Sequence, residues 1–354
     1  MSSPAVLSGR AALVQELGIE TVTETLPAKK QPAELLPGEC LVKLEYTGVC
    51  HSDLHFMLGD FRQPKFPHVG GHEGVGHVVA IGEHTAQTAF KVGDRVGVKW
   101  VMDTCMQCEL CLSGTEQYCE KRRLAGFTDW GTFGEYVVAF VNHLVVIPEN
   151  VPSPAAAPIL CAGVTVYSAL KNSRSNVGDW VTITGAGGGL GHLAVQYAVA
   201  MGLRVIAIDT GEDKKKVCLE LGAEKWIDFK ESKDMIQDVR AAADGVGPHL
   251  ALVATGTHGP YIQASLYLRP TGKLLCVGLP AGPLNGLHLT PIAVRGVQLL
   301  GSALGSRKEV AEALALVARG KVKPHYQVVP HEQLNTVLED MHNGKIVGRV
   351  VLQY

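Results

Sequence analysis

The segment from residue 50 to residue 73 contains side chains suited to binding a transition metal. Cys50 and His72 could be two ligands of one tetrahedral zinc ion. A catalytic zinc takes three protein ligands and keeps a fourth position open, so a third soft ligand is expected, and Cys161 is the best candidate. Two thiolates and a neutral imidazole would cancel the charge of Zn²⁺ and leave a Lewis acid for a substrate oxygen. The alternative is that Cys50 is a small buried apolar residue and His72 an ordinary loop histidine.

A second group of thiols is more closely spaced. Its pattern is C-x2-C-x2-C-x7-C, formed by Cys105, Cys108, Cys111 and Cys119. The segment carries Gly114 and shows little helical periodicity. Four thiolates on such a loop match a closed structural zinc site, which fixes a segment too poor in apolar residues to fold by itself. An iron–sulfur cluster is the main alternative, and four free thiols are the other.

The composition is that of an ordinary globular enzyme. The 354 residues, 46% hydrophobic and 19% charged with a formal net charge of −2, predict about two domains. Lysine and arginine are scattered, so no basic face for nucleic acid is indicated, and no apolar run reaches the ~18 residues of a membrane span. The first ten residues do not predict a secretory signal, and their single arginine gives little support to an organelle signal. The nine clustered cysteines favour metal over disulfides, and the cytoplasm is the expected compartment.

Short strands must position the metal ligands. Residues 40–46 alternate like a half-buried strand that leads to Cys50, and residues 75–81 and 95–100 predict further strands separated by turns. The first part of the chain is therefore predicted to be an irregular, mostly β catalytic unit.

A different pattern begins at residue 179. Residues 180–184 predict a strand, residues 190–201 a helix and residues 204–209 a second strand, with a glycine-rich turn before the helix. This βαβ order is typical of a dinucleotide-binding fold, in which glycines let the backbone approach the pyrophosphate at the helix N-terminus. The predicted cofactor-binding residues of the turn are Gly185, Gly188, Gly189, Leu190 and Gly191. The turn is one residue longer than the G-x-G-x-x-G template, and a glycine-rich turn alone is weak support.

The residue that ends the second strand, Asp209, indicates which dinucleotide is bound. A carboxylate there can accept hydrogen bonds from both ribose hydroxyls of NAD and repels the 2′-phosphate of NADP. Thr210 and Gly211 follow it, and no arginine does. The predicted cofactor is therefore NAD.

The remaining elements continue a doubly wound sheet. Strands are predicted at 226–228, 250–254 and 273–279, with Pro-Gly clusters between them. Near Ala293 the chain leaves this domain, and two amphipathic helices at 306–319 and 333–342 precede a closing strand at 348–352.

Taken together, the two zinc motifs and the Gly70-Gly-His-Glu-Gly74 segment resemble zinc-dependent alcohol dehydrogenases of the medium-chain dehydrogenase/reductase superfamily, most closely the yeast-type tetrameric branch. The resemblance runs from about Gly48 through Arg349. It implies an α/β fold with a Rossmann doubly wound parallel sheet domain and a mostly β, GroES-like catalytic domain. The implied domains are residues 1–160 (catalytic zinc domain), 161–294 (NAD-binding domain) and 295–354 (return to the catalytic domain). It also implies two Zn²⁺ per chain, NAD, an alcohol or aldehyde substrate and a homotetramer.

The resemblance further implies individual roles. Cys50, His72 and Cys161 would bind the catalytic zinc, and the four clustered cysteines the structural one. Residues with implied roles in proton transfer or beside the zinc are Ser52 and His55 (relay), Asp53 (orienting His72) and Glu73 (approaching the zinc during ligand exchange). Residues implied to contact the dinucleotide are His51 and Arg349 (pyrophosphate) and Lys214 (ribose). The alternatives are a surface histidine at 55, a solvated helix charge at 214 and a surface ion pair at 349.

Four residues match the family's alcohol pocket. They are Met57, Phe61, Trp100 and Leu279. Relatives that favour ethanol often have Trp and Met where this chain has Phe61 and Leu279, so a wider pocket mouth is expected. Trp100 would still disfavour branching at the carbinol carbon, which predicts primary alcohols as substrates, with longer or aromatic ones gaining relative to ethanol.

Two other functions fit parts of the pattern. One is a polyol or aryl-alcohol dehydrogenase that uses NADP. Cys161 argues against the polyol branch, where glutamate commonly replaces it, and Asp209 argues against NADP. The other is a non-enzymatic zinc protein that uses its four-cysteine lobe for nucleic-acid or protein contacts, which a basic face would support and this chain lacks.

Overall fold

The computed structural model describes residues 6–60, 65–86 and 88–354. These residues form two compact units. The first, called here the β-rich unit, comprises Met1–Cys161, Ser306–Ala318 and Tyr326–Tyr354 as far as they are described. The second, the parallel-sheet unit, comprises Ala162–Gly305 and Arg319–His325.

The strands, in chain order, are β1 (Ser8–Val14), β2 (Val22–Pro27), β3 (Glu39–Val49), β4 (His68–Val69), β5 (Gly74–Ile81), β6 (Arg95–Val98), β7 (Val101–Asp103), β8 (Arg123–Leu124), β9 (Tyr136–Phe140), β10 (Val145–Val146), β11 (Trp180–Thr184), β12 (Arg204–Asp209), β13 (Lys225–Asp228), β14 (Leu250–Val253), β15 (Lys273–Cys276), β16 (Gln298–Gly301), β17 (Tyr326–Pro330) and β18 (Arg349–Gln353).

The α-helices are α1 (His51–Met57), α2 (Glu109–Leu112), α3 (Ser153–Ala156), α4 (Ala162–Asn172), α5 (Gly191–Ala200), α6 (Glu212–Glu220), α7 (Met235–Ala242), α8 (Gly259–Tyr267), α9 (Leu289–Arg295), α10 (Arg307–Ala318) and α11 (Leu334–His342). Short 3₁₀ segments lie at Pro32–Glu34, Glu116–Tyr118, Val141–His143, Ala157–Leu160 and His331–Gln333.

The β-rich unit is built on a seven-stranded sheet with the order β10-β6-β5-β3-β18-β17, to which β9 adds by pairing with β3. Strand β3 lies at the centre of this sheet. It is 11 residues long, and most of its residues are buried. Strand β18 pairs antiparallel with β3, with Val350 opposite Val49, so a segment from late in the chain completes the sheet beside Cys50. A smaller sheet, β2-β1-β4, leads to the loop that carries His72.

The parallel-sheet unit has six parallel strands in the order β13-β12-β11-β14-β15-β16. Its central strands are continuous apolar runs, as expected where helices cover both faces; β11 and β14 are buried throughout. In this strand order β11 and β14 lie at the point where the winding reverses, next to which such sheets bind their ligands.

The domain boundary predicted at residue 294 falls too early. Strand β16 pairs with β15, with Leu299 opposite Leu274, so residues up to Gly305 remain with the parallel-sheet unit. Residues Arg319–His325 also belong to that unit although their neighbours on both sides do not. The side chain of Gln196 explains this, because it donates to the carbonyl of Lys323 (3.1 Å) and accepts from its N–H (2.7 Å).

Among the described residues, no single helix is long and apolar enough to cross a membrane. One bent pair, Ser153–Leu160 with Ala162–Asn172, meets the criteria by length and composition only.

Candidate active site

The three predicted ligands of the catalytic zinc come together in the β-rich unit. Cys50 precedes the first turn of α1, His72 lies in the loop after β4, and Cys161 follows a 3₁₀ segment. The sulfur atoms of Cys50 and Cys161 are 3.9 Å apart, and His72 Nε2 is 3.3 Å from the sulfur of Cys161. Tetrahedral zinc with Zn–S bonds of about 2.3 Å and Zn–N bonds of about 2.0 Å would separate such atoms by about 3.8 and 3.5 Å. The three side chains therefore fit one zinc ion.

A carboxylate orients this cluster. Nδ1 of His72 donates to Oδ1 of Asp53 (2.9 Å), and the backbone N–H of Cys50 donates to Oδ2 (2.9 Å). Because Asp53 holds the Nδ1 proton, the Nε2 lone pair of His72 is left for the metal. A hydrogen bond from the Cys161 thiol lowers the pKa of Cys50 well below its ordinary value, and the charge of Arg349 acts in the same direction. Both effects favour the thiolate form that binds metal.

Glu73 and Arg349 form a buried ion pair beside these ligands. The guanidinium of Arg349 donates to Oε1 of Glu73, and the side chains are 5% and 0% exposed. Burial raises the pKa of Glu73 to about 7, although the charge of Arg349 opposes this. Oε2 of Glu73 and Nε of Arg349 have no hydrogen-bond partner within the described ranges. The alternative of a surface ion pair at Arg349 is wrong, because the pair is buried, whereas the pyrophosphate role stays a prediction.

Helix α1 carries the predicted relay residues. The hydroxyl of Ser52 is 3.7 Å from the sulfur of Cys50, and Nδ1 of His55 pairs with Oδ2 of Asp60 at 2.7 Å. Residues three apart share one face of a helix, so Ser52 and His55 lie on the same side of α1. His51 opens the helix with its side chain exposed. Partial desolvation and the charges of Arg349 and His55 lower its pKa.

The four clustered cysteines form a second compact group around α2. Their sulfur atoms lie 3.5–3.9 Å apart in the pairs 105/111, 108/111, 108/119 and 119/105. These separations match tetrahedral zinc and are far longer than the about 2.05 Å of a disulfide. Backbone N–H groups of Gln107 and Cys108 lower the pKa of Cys105 to about 6, which favours its thiolate.

A buried carboxylate attaches this lobe to the rest of the β-rich unit. Glu116 is 3% exposed, and its Oε1 accepts from the backbone N–H of Arg307 (2.7 Å) and from its Nε (3.1 Å). This pair is not among the predicted contacts. No local signal could have found it, because the two residues are 191 positions apart.

The predicted dinucleotide turn lies between β11 and α5. Gly185 has a φ of +71°, and a Cβ on Gly191 would lie 2.0 Å from the carbonyl oxygen of Gly185, so both positions require glycine. Asp209 is 4% exposed and accepts from the N–H of Gly187 (3.0 Å) and from Nζ of Lys214 (3.0 Å). Gly187 is not among the predicted cofactor-binding residues, although the G-x-G at the start of the fingerprint marks it.

The predicted pocket residues are placed differently from one another. The Trp100 ring lies 5.3 Å from the ring of His72 in the β-rich unit. Met57 is 1% exposed and belongs to the apolar core of that unit, and its place in the alcohol pocket stays a prediction. Leu279 belongs to the parallel-sheet unit and is 51% exposed. Phe61 lies outside the described residues.

Comparisons with known proteins agree with both units. Residues 36–149 match the family described as "Alcohol dehydrogenase GroES-like domain", and residues 189–319 match "Zinc-binding dehydrogenase". An alcohol dehydrogenase of Schizosaccharomyces pombe is 48% identical over 315 residues, which cover 89% of each chain.

Solved structures give the same result. The structure of an NAD-dependent alcohol dehydrogenase has a TM-score of 0.90 at 28% identity, covering 98% of this chain and 99% of the other. An acetophenone reductase from Geotrichum candidum, solved in complex with NAD, has a TM-score of 0.86 at 28% identity and covers 99% of both chains.

Proposed function

The chain belongs to the zinc-binding alcohol dehydrogenases of the medium-chain dehydrogenase/reductase superfamily, and we propose that it oxidises primary alcohols to aldehydes, and catalyses the reverse reaction, with hydride transfer to NAD. The observation that carries this proposal is the cluster of Cys50, His72 and Cys161, in which atom separations fit one zinc ion and Asp53 fixes the imidazole tautomer.

Cys50, His72 and Cys161 hold the catalytic zinc, which supplies a Lewis acid that stabilises negative charge on a substrate oxygen. Asp53 keeps the Nδ1 proton of His72 in place, so Nε2 is the nitrogen directed at the metal. Glu73 lies beside the ligands and is paired with Arg349, and burial raises its pKa. Cys105, Cys108, Cys111 and Cys119 hold a second, structural zinc.

A proton must leave the alcohol hydroxyl before hydride is transferred from its carbon. By resemblance to the family, Ser52, next to the sulfur of Cys50, would take up this proton while giving up its own, and His55 on the same face of α1 would release a proton to solvent at the far end of the relay. His51 at the start of α1 contributes to the pyrophosphate site when it is protonated. Since desolvation lowers its pKa, this contribution is small at neutral pH.

Asp209 selects NAD. It is buried and already bound to the glycine turn and to Lys214, so its carboxylate is fixed in position for the ribose hydroxyls. By resemblance to the family, Trp100 would limit branching at the reacting carbon, and the residue types at positions 61 and 279 favour longer or aromatic primary alcohols. By resemblance to the yeast-type branch, the enzyme is a cytoplasmic homotetramer. Light scattering on the purified protein tests the tetramer, and fluorescence imaging of the tagged chain tests the compartment.

A direct assay tests the proposal. Purified protein of known zinc content is given primary alcohols, secondary alcohols and polyols with NAD or NADP, and formation of the reduced cofactor is followed by absorbance. We expect turnover with primary alcohols and NAD, much slower turnover of secondary alcohols, and little with polyols or NADP. Absence of turnover with every alcohol would refute the activity, and equal use of NADP would refute the cofactor preference.

A further inference from the structure

The peptide between Gly188 and Gly189 is held from one side by a histidine. Two adjacent glycines have no side chains to restrict their backbone, so the peptide between them can rotate freely. In the structure the carbonyl oxygen of Gly188 accepts two hydrogen bonds from His192: one from its backbone N–H (3.1 Å) and one from Nδ1 of its ring (2.8 Å). A carbonyl can only accept, so Nδ1 carries the proton.

The other ring nitrogen of His192 is also fixed. Nε2 lies 3.2 Å from the backbone nitrogen of His325, and because that N–H can only donate, Nε2 is the acceptor. His192 is 1% exposed. Its ring is therefore a neutral, buried bridge between the glycine turn and the segment Arg319–His325 of the same unit.

Gln196, one helical turn further along α5, binds the same segment without touching the turn. Its amide pairs with both the N–H and the carbonyl of Lys323. The two buried polar residues therefore share one task, attaching Arg319–His325 to α5. The contact with Gly188 belongs to His192 and is absent from the hydrogen bonds of Gln196 among the described residues.

We propose that His192 is a positioning residue for the pyrophosphate of NAD. In a trans peptide the C=O and N–H point in opposite directions. By holding the Gly188 carbonyl toward α5, His192 turns the Gly189 N–H away from it, as a donor for an anion at the helix N-terminus. This inference rests on NAD as the cofactor and adds a residue outside the glycine fingerprint to its binding site.

Binding measurements on the zinc-loaded enzyme test this without turnover. Three ligands are compared by fluorescence titration and competition: NADH, ADP-ribose, which keeps the pyrophosphate, and adenosine, which lacks it. Replacing His192 with leucine should weaken NADH and ADP-ribose about tenfold, the effect of one hydrogen bond, and adenosine by less than twofold. Gln196→Met, the matched control, should leave all three affinities within about twofold.

Two conservative variants separate the two contacts of the ring. His192→Asn places an amide donor where Nδ1 was, so it should keep the Gly188 contact and the affinity for NADH. His192→Gln places its amide near the position of Nε2, so it should keep the His325 contact and lose affinity. These two variants decide the question if the leucine variant does not fold.

Specific results would overturn the proposal. They are unchanged NADH binding in the leucine variant, equal weakening of adenosine and NADH, an effect of Gln196→Met as large as that of His192→Leu, or equal NADH affinity in the Asn and Gln variants. Failure of the wild-type enzyme to bind NADH at all would instead contradict the proposed function itself.

Discussion

The guanidinium of Arg349 and the carboxylate of Glu73 pair with each other in the interior of the β-rich unit, beside the proposed zinc ligands Cys50 and His72. The position of the Glu73 carboxylate also explains why residue 48 is glycine. A Cβ there would lie 1.9 Å from Oε2 of Glu73. A buried pair of this kind stabilises a fold only while both partners are present.

Removing one partner of this pair should be more damaging than removing both. Arg349→Met leaves Glu73 buried without its cation, so this side chain must either stay charged or take up a proton. We expect the free energy of unfolding to fall by up to about 3–5 kcal/mol. The double variant Arg349→Met with Glu73→Gln should recover part of this loss, because no uncompensated charge remains. Urea unfolding at neutral pH measures both, and an equal loss in the two variants would show that the charge is not the cause.

The two metal sites should respond differently to loss of a ligand. Cys161→Ser should abolish turnover and retain the fold, since it removes a proposed ligand of the catalytic zinc and exchanges a thiol for a hydroxyl of similar size. Cys111→Ser should lower the melting temperature, because the zinc replaces a hydrophobic core in that lobe. Elemental analysis should give two zinc ions per wild-type chain and two in the control Cys276→Ser, which lies in β15. One zinc per active chain, or iron, would contradict the assignment.

Cofactor preference should depend on Asp209. Asp209→Ala removes the acceptor for the ribose hydroxyls and frees Lys214. The KM for NAD should therefore rise, corresponding to a loss of at most a few kcal/mol of binding free energy. Use of NADP relative to NAD should improve. The control Asp228→Asn changes a neighbouring carboxylate on β13 and should leave the preference unaltered. Steady-state kinetics with both cofactors measures the ratio, and an unchanged ratio in Asp209→Ala would exclude the role.

Acid should destabilise the enzyme partly through His68. Burial lowers the pKa of this histidine from 6.5 to about 4, so between these values the unfolded chain binds the additional proton. The contribution of His68 to the free energy of unfolding, up to about 3 kcal/mol, is complete above pH 6.5 and is lost as the pH falls toward 4. His68→Gln, which cannot titrate, should show a smaller drop in unfolding free energy between pH 6.5 and 4.5 than wild type. His77→Gln, at a side chain 40% exposed, is the control and should behave as wild type.

Substrate size should depend on Phe61. Each methylene accommodated in an apolar pocket contributes about 1–3 kcal/mol of discrimination. We expect kcat/KM to be maintained or to rise along ethanol, butanol, hexanol and benzyl alcohol in wild type, and to fall with length in Phe61→Trp. A steep fall beyond ethanol in wild type would show that the pocket is not wider.

Hydrophobic patterns in the sequence predicted those strands whose residues are nearly all buried. Strands β11 and β12 have the predicted bounds because apolar runs between turn residues define buried parallel strands. The family and the α/β fold with its GroES-like and Rossmann parts are confirmed by the comparisons.

Relationships between distant residues could not be predicted in this way. Glu73 and Arg349 are 276 positions apart, and nothing in either neighbourhood indicates the other. The strand predicted at 273–279 ends at Cys276, and Gly278 lies so close to Thr255 that a Cβ there would be 2.2 Å from the Thr255 carbonyl oxygen. Met57 matched a family position, yet packing against the core decides its burial.

The pairing of β18 with β3 means that the sheet of the β-rich unit can be completed only at the end of synthesis. Val49 and Cys50 leave the ribosome about three hundred residues before Val350, the residue that lies opposite Val49. Until then the end of β3 that pairs with β18, Tyr46–Val49, has no partner on that edge, whereas β9 can already pair with Glu39–Lys43. An unpaired edge invites pairing with another chain. The parallel-sheet unit, whose strands lie between residues 180 and 301, is translated in full first. In nascent chains stalled before residue 349 the parallel-sheet unit has therefore been made, while the cluster of Cys50, His72 and Cys161 still lacks the buried cation of Arg349 beside it.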